Sequence, residues 1–145
     1  MAFFEWEDRF SVNVAEIDRH HRKLIDLINQ LHEAIERCSH LATIPSVMSE
    51  LDTVTSVLTE LVNYAEYHFG AEEKYMLEYA YPDHAGHRTE HLQFVDRVQA
   101  FKRSFEKEKS RLSIDIAEFM MQWWREHILG SDKKCGAFLN GKGMR

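Results

Sequence analysis

Proline and glycine are scarce in this chain, 2 and 6 among 145 residues. So short a chain with so few breaks predicts one compact domain over residues 1–145 and excludes a multidomain enzyme. Cysteine is scarce too: Cys38 and Cys135 are far apart and follow no CxxC spacing. A disulfide framework and a thiolate metal site therefore have little support. Lys plus Arg number 18 against 24 Asp plus Glu, a net charge of -6 that argues against a dedicated nucleic-acid binder. No apolar run approaches the roughly 20 residues that cross a bilayer, and Met1 to Phe4 followed by Glu5 has neither the basic start nor the core of a signal peptide. The expectation is a soluble, cytoplasmic protein with no membrane partner.

What the sequence does have is 44% hydrophobic residues, enough for a real core, and 9 histidines. Apolar positions recur in steps of three and four, the period of a helix with one buried face. The first such stripe follows Val14 and reads Ile17, His21, Leu24, Ile28, Leu31 and Ile35. Pro45, tolerated in a first turn, opens a second with Leu51, Val54, Leu58, Leu61, Ala65, His68, Glu72 and Tyr75, ended by Tyr81-Pro82. Asp83 is placed to cap a third: His84, His87, His91, Phe94, Val98, Phe101 and Phe105, with the polar run Glu106 to Ser110 toward its end. A fourth carries Ile116, Met120, Trp123 and His127, and Gly130 is placed to close it in a left-handed cap. No strand pattern competes. The expected fold is all-α, an antiparallel up-down-up-down four-helix bundle. Residues 1–13, with Phe3, Phe4, Trp6 and Phe10, are expected to form an ordered arm packed outside it, and residues 133–145 a tail.

Polar residues interrupt these stripes in a telling place. His21 lies near the start of the first helix, His68 and Glu72 near the end of the second, His87 and His91 near the start of the third, and His127 near the end of the fourth. In an antiparallel bundle all meet at one end, leaving the other with Leu31, Ile35, Leu51, Val54, Val98, Phe101, Phe105 and Ile116. Each element alone reads as an ordinary surface pair or a hydrogen-bonded core histidine. Together, five imidazoles and a carboxylate buried without partners would cost on the order of several kcal/mol, and bound metal compensates that cost. Asp132 is a seventh candidate. Five residues beyond His127, it would point away from the seam on a continuous helix, so its participation is expected to need a turn at Gly130.

The donors can be counted. Five histidines give five bonds, Glu72 and Asp132 bridging two ions add four, and a shared oxo or hydroxo adds two, eleven of the twelve that two octahedral ions require. One position stays open for a small exogenous ligand. Imidazole and carboxylate without thiolate suit iron, and ligand type alone leaves manganese and zinc open.

The pieces Ile17-Asp-Arg-His-His21, His68-Phe-Gly-Ala-Glu72-Glu, His87-Arg-Thr-Glu-His91 and His127-Ile-Leu-Gly-Ser-Asp132 resemble the hemerythrin family, in its order and over nearly the whole chain. The resemblance implies a non-haem di-iron centre with His87, His91 and His127 on one iron, His21 and His68 on the other, and Glu72 and Asp132 bridging. Dioxygen would bind at the iron with two histidines. Leu24, Phe69, Trp124 and Ile128 would line the pocket, an apolar wall that favours reversible binding over turnover. Three residues depart from the family pattern. His20 stands where glutamine is usual and is read as peripheral. Trp124 stands where a leucine commonly covers the oxygen site and is read as repacking against the arm. Cys135 replaces an aromatic and is read as an inert thiol. His84 is read as a capping or surface residue; His32 and His40 have no assigned role.

The function expected is reversible dioxygen binding, for storage, delivery or sensing, by a protein that is not an enzyme; its protein partner is not legible. The alternatives are a di-iron enzyme acting on peroxide or nitric oxide and an iron-handling protein. A ferritin-like oxidase is disfavoured because the chain has no Glu-x-x-His, and a two-metal phosphohydrolase because it has no His-Asp.

Overall fold

A computed structural model describes residues 2–41, 43–108 and 115–145. Among them there is no strand, and five α-helices carry the chain: α1 (Ala15–Ser39), α2 (Ile44–Glu78), α3 (His84–Lys107), α4 (Asp115–His127) and α5 (Lys133–Gly141). The first four form the antiparallel bundle, with α1 packed on α2 and α4, and α2 on α3. Of the polar run at the end of α3, Lys109 and Ser110 lie outside the described residues. No helix among the described residues is long and apolar enough to cross a membrane.

The three-four stripes are the seam. Leu31, Val54, Val98 and Phe105 are buried at the end without histidines, and Leu51 and Phe101 pack partly buried against them. In α4 the stripe is displaced by one residue: Trp124 is fully buried, while Trp123 is only partly so. Steps of four through Ile116, Met120 and Trp124 serve the helical period as well as the expected path through Trp123.

Helix α2 begins as its sequence dictates, with Pro45 in the first turn and the Thr43 hydroxyl accepting from the Ser46 amide at 3.3 Å. Its end is less ordinary. The Tyr81 amide reaches back to the Met76 carbonyl at 2.8 Å and the Ala80 amide to Leu77 at 3.2 Å, a Schellman closure with alanine at the left-handed position, φ 56°. A Cβ there costs about 1–2 kcal/mol. Ala80→Gly is therefore expected to raise stability by about 1 kcal/mol, read as an upward shift in the midpoint of urea unfolding. Asp83 sits at the N-cap of α3 but makes no side-chain capping bond. Its carboxylate lies instead over Gly86, where an added Cβ would come within 2.6 Å of Oδ1.

The N-terminal arm is ordered, but it belongs to the core rather than lying outside it. Phe4, Phe10 and Val12 are buried. Asn29 clamps the backbone of Phe4, accepting from its amide at 2.8 Å and donating to its carbonyl at 2.7 Å. Asp18 takes the Ser11 hydroxyl at 2.5 Å and the Val12 amide at 2.9 Å, which ties the arm to α1. The segment after Asp132 is the helix α5, which packs on this arm: Lys133 Nζ donates to the Ser11 carbonyl at 2.6 Å. Gly136 meets Val12 so closely that a Cβ would sit 2.6 Å from the Val12 carbonyl oxygen.

Candidate metal centre

The step from α4 to α5 positions the last donor. A left-handed turn at Gly130 is absent; among the described glycines only Gly143 has positive φ. Residues Ile128–Asp132 instead form a single π-helical turn continuous with α4 and α5. On an α-helix Asp132 would be rotated about 140° from His127, whereas a π turn bonds residues five apart and returns them to one face. His127 Nε2 and Asp132 Oδ1 are accordingly 3.1 Å apart, both buried.

All seven residues converge in one buried layer. His87, His91 and His127 present Nε2 atoms to one another, 3.2 Å between His87 and His127 and 3.1 Å between His91 and His127. Glu72 Oε2 stands 3.2 Å from His91 Nε2 and 3.6 Å from His68 Nε2. Asp132 Oδ1 is 3.0 Å from His87 Nε2, and Oδ2 is 2.9 Å from His21 Nε2. Two groups able to hold an ion result, Glu72 with His87, His91, His127 and Asp132, and His21 with His68, Glu72 and Asp132. Both carboxylates belong to both groups.

The donor set fits metal. His21 Nε2, His68 Nε2, Glu72 Oε2 and both Asp132 oxygens are buried without a hydrogen-bond partner. Donors on adjacent corners of an octahedron with bonds near 2.1 Å are about 3.0 Å apart. Asp132 stands at that spacing from His21, His87 and His127, and Glu72 from His91, while Glu72 lies wider from His68 at 3.6 Å. Without metal, protons supply the missing charge. Burial disfavours charge on His87 and His127, but the closeness of the Asp132 and Glu72 carboxylates outweighs it, raising His87 to about 10 and His127 to about 9. Burial holds His68 down at about 3. Burial also opposes ionisation of Glu72 and Asp132, yet the neighbouring histidines keep both carboxyls low, Glu72 at about 2.

Two raised histidines give the metal-free protein a defined pH response. Their contribution to stability is complete below the unfolded histidine value near 6.5 and is lost as pH rises through about 9 to 10. The urea midpoint of chelator-stripped protein is expected to fall between pH 7 and pH 10.5. Loading with a divalent cation at pH 7.5 should release about two protons per chain, measurable with a pH indicator.

Around this layer stand residues that the sequence pattern did not single out. Glu90, one turn beyond His87 on α3, accepts from His127 Nδ1 at 2.7 Å and from the Ser131 hydroxyl at 2.6 Å. That bond fixes the His127 ring with Nε2 turned to the cluster. The His127 bond and, against it, partial burial leave Glu90 ionised down to about 2. Glu90→Ala is expected to speed removal of metal by a chelator about 10–100-fold, with the helical content unchanged. Glu73 approaches His91 Nδ1 at 3.6 Å. His20 stands outside both donor groups but is not peripheral: it is buried, with Nδ1 3.0 Å from Nδ1 of His68. One such nitrogen must donate to the other, and a proton on His68 Nδ1 frees its Nε2 for the cluster. Burial lowers the His20 pKa and keeps it neutral.

The apolar residues lie where the bundle covers this layer. Leu24, Phe69, Trp124 and Ile128 are all buried. Phe69 stacks on His91 at 3.9 Å between ring centroids and on Trp124 at 5.4 Å. Trp124 shares one buried cluster with Phe4 and Phe10 of the arm, and its ring lies 5.7 Å from His68 and 6.1 Å from His21. His84 is half-buried at the start of α3. Burial pushes the Cys135 thiol well up, so it stays protonated and unreactive.

A helical bundle whose end holds two histidine and carboxylate groups sharing their acids defines the class of bundle-borne metal proteins. The hemerythrin HHE cation binding domain matches residues 12–139, and the chain belongs to the hemerythrin family. It is similar to a bacteriohemerythrin of Clostridium acetobutylicum, 28% identical over 132 residues that cover 90% of this chain and 97% of that one. A bacteriohemerythrin of Stenotrophomonas maltophilia is 30% identical over 133 residues, 92% of this chain and 79% of the relative. The solved structure of a wild-type hemerythrin superposes with TM-score 0.82 at 26% identity, covering 95% of this chain and 98% of that one.

Proposed function

We propose that this chain holds two non-haem iron ions and binds dioxygen reversibly, as a carrier, store or sensor and not as an enzyme. His87, His91 and His127 would hold one iron, His21 and His68 the other, with Glu72 and Asp132 shared. The observation that carries the reading is that sharing: two buried groups of donors meet through the same two carboxylates, of which Glu72 Oε2 and both Asp132 oxygens have no hydrogen-bond partner. When bound, two ferrous ions supply the electrons on which dioxygen binding depends.

The chain's own residues do the rest. His20 and Glu90 hold His68 and His127 by Nδ1, at 3.0 and 2.7 Å, so that Nε2 serves the metal. The half with two histidines has one donor fewer and is the open one. Leu24, Phe69, Trp124 and Ile128 would exclude water there and so limit the access of protons to the open position. None of the four carries an acid or base, which supports binding over turnover. The test is iron analysis of protein expressed with ample iron: two ions per chain are expected, and none would overturn the reading. Rapid consumption of peroxide or nitric oxide by the loaded protein would make it an enzyme instead.

A further inference from the structure

The indole of Trp124 is fully buried and its Nε1–H has no hydrogen-bond partner. A buried tryptophan normally satisfies that donor, so the exception calls for an acceptor. Its aromatic neighbours do not supply one. Phe69 lies nearly parallel at 5.4 Å, Phe94 edge-on at 5.4 Å, and Trp123 at 5.1 Å offers only a donor of its own. The remaining rings are His68, His127 and His21, 5.7, 6.0 and 6.1 Å away. A metal-bound imidazole has no free lone pair, since one nitrogen binds the ion and the other carries the proton. Loading the centre therefore leaves the indole N–H still without an acceptor from the chain.

We propose that Trp124 is the specificity-determining residue of the open half, its indole N–H donating to the exogenous ligand bound there. This rests on the two-metal reading above. The donor favours small ligands that keep a lone pair on an atom beyond the metal-bound one. A leucine at this place would give shape without a donor. Trp124 thus adds a polar contact to a wall that is otherwise apolar, with His68 of the open half its nearest imidazole at 5.7 Å.

The test titrates the oxidised, iron-loaded protein with azide, a small anion with acceptor nitrogens at both ends, followed by its visible spectrum. Trp124→Phe keeps an aromatic ring and removes the donor; it is expected to bind azide about 10–100-fold more weakly at the parent's iron content. Trp124→Leu is expected to weaken azide as well. A tryptophan acting only as a plug gives the opposite sign, with the smaller leucine admitting azide at least as tightly as the parent. The second measurement needs no variant: in the parent, the indole N–H band of the ultraviolet resonance Raman spectrum, identified by its shift in D2O, should move when azide is added. Azide affinity within twofold of the parent in Trp124→Phe, or an unmoved band, overturns the proposal. Should Trp124→Phe fail to hold iron, the band in the parent decides. A parent without iron overturns the reading of the centre, and the proposal with it, before any azide is added.

Discussion

Glu72→Ala is expected to empty the centre, taking iron from two ions per chain to none after gel filtration, where loss of a donor confined to one group would spare the other ion. The reason is position: its carboxylate serves both donor groups, and it is buried with no other partner for Oε2. The variant should also destabilise the metal-free protein, because His87 and His127, held charged partly by Glu72, lose half of their buried counter-charge. Glu73→Ala is the control. One residue along, Glu73 pairs with Arg88 at 3.0 Å and only brushes His91 Nδ1 at 3.6 Å, so this variant should retain both ions. Loss of iron from both variants alike would show that α2 had been disrupted rather than a shared donor removed.

Phe69→Ala is expected to have the largest effect on stability, about 3–5 kcal/mol, measured by urea unfolding of the metal-free protein. Its ring is the keystone between the apolar seam and the polar layer, stacked on His91 and Trp124 and edge-on to Phe94. Truncation removes the ring that lies against His91, His68 and His127, so the loaded variant should also oxidise irreversibly in air faster than the parent. A change below about 1 kcal/mol would mean that the surrounding side chains close over the gap.

The bundle was legible because burial has a period. The stripes through Leu24, Leu58 and Val98 state a helical face whatever the neighbours are, and antiparallel order carries His21, His68, His87 and His127 to one end. What periodicity could not state is a change of period. On α-helical spacing Asp132 is out of phase with His127; a π turn places it by local overwidening, which leaves no mark in the apolar pattern. The arm escaped for a related reason. Phe4 and Phe10 lie in irregular backbone, where no period distinguishes a core residue from a surface one, and Asn29 and Asp18 that secure them lie far along the chain. His20, about 100° around the helix from His21, falls outside the apolar stripe, and its position along α1 says nothing of a second ring on α2. Glu90 differs in that its spacing of three after His87, one helical turn, is a signal the sequence itself carries for a carboxylate beside the histidines.

The shared carboxylates, the paired imidazoles and the apolar wall make one claim together, that ferrous protein takes up dioxygen and gives it back. The direct measurement is the visible spectrum of the reduced, iron-loaded protein carried through repeated cycles of air and vacuum. A charge-transfer band that appears in air, disappears under vacuum and returns with the same intensity over several cycles is the predicted result. Conversion to a stable oxidised spectrum on the first exposure, with no recovery under vacuum, would contradict it.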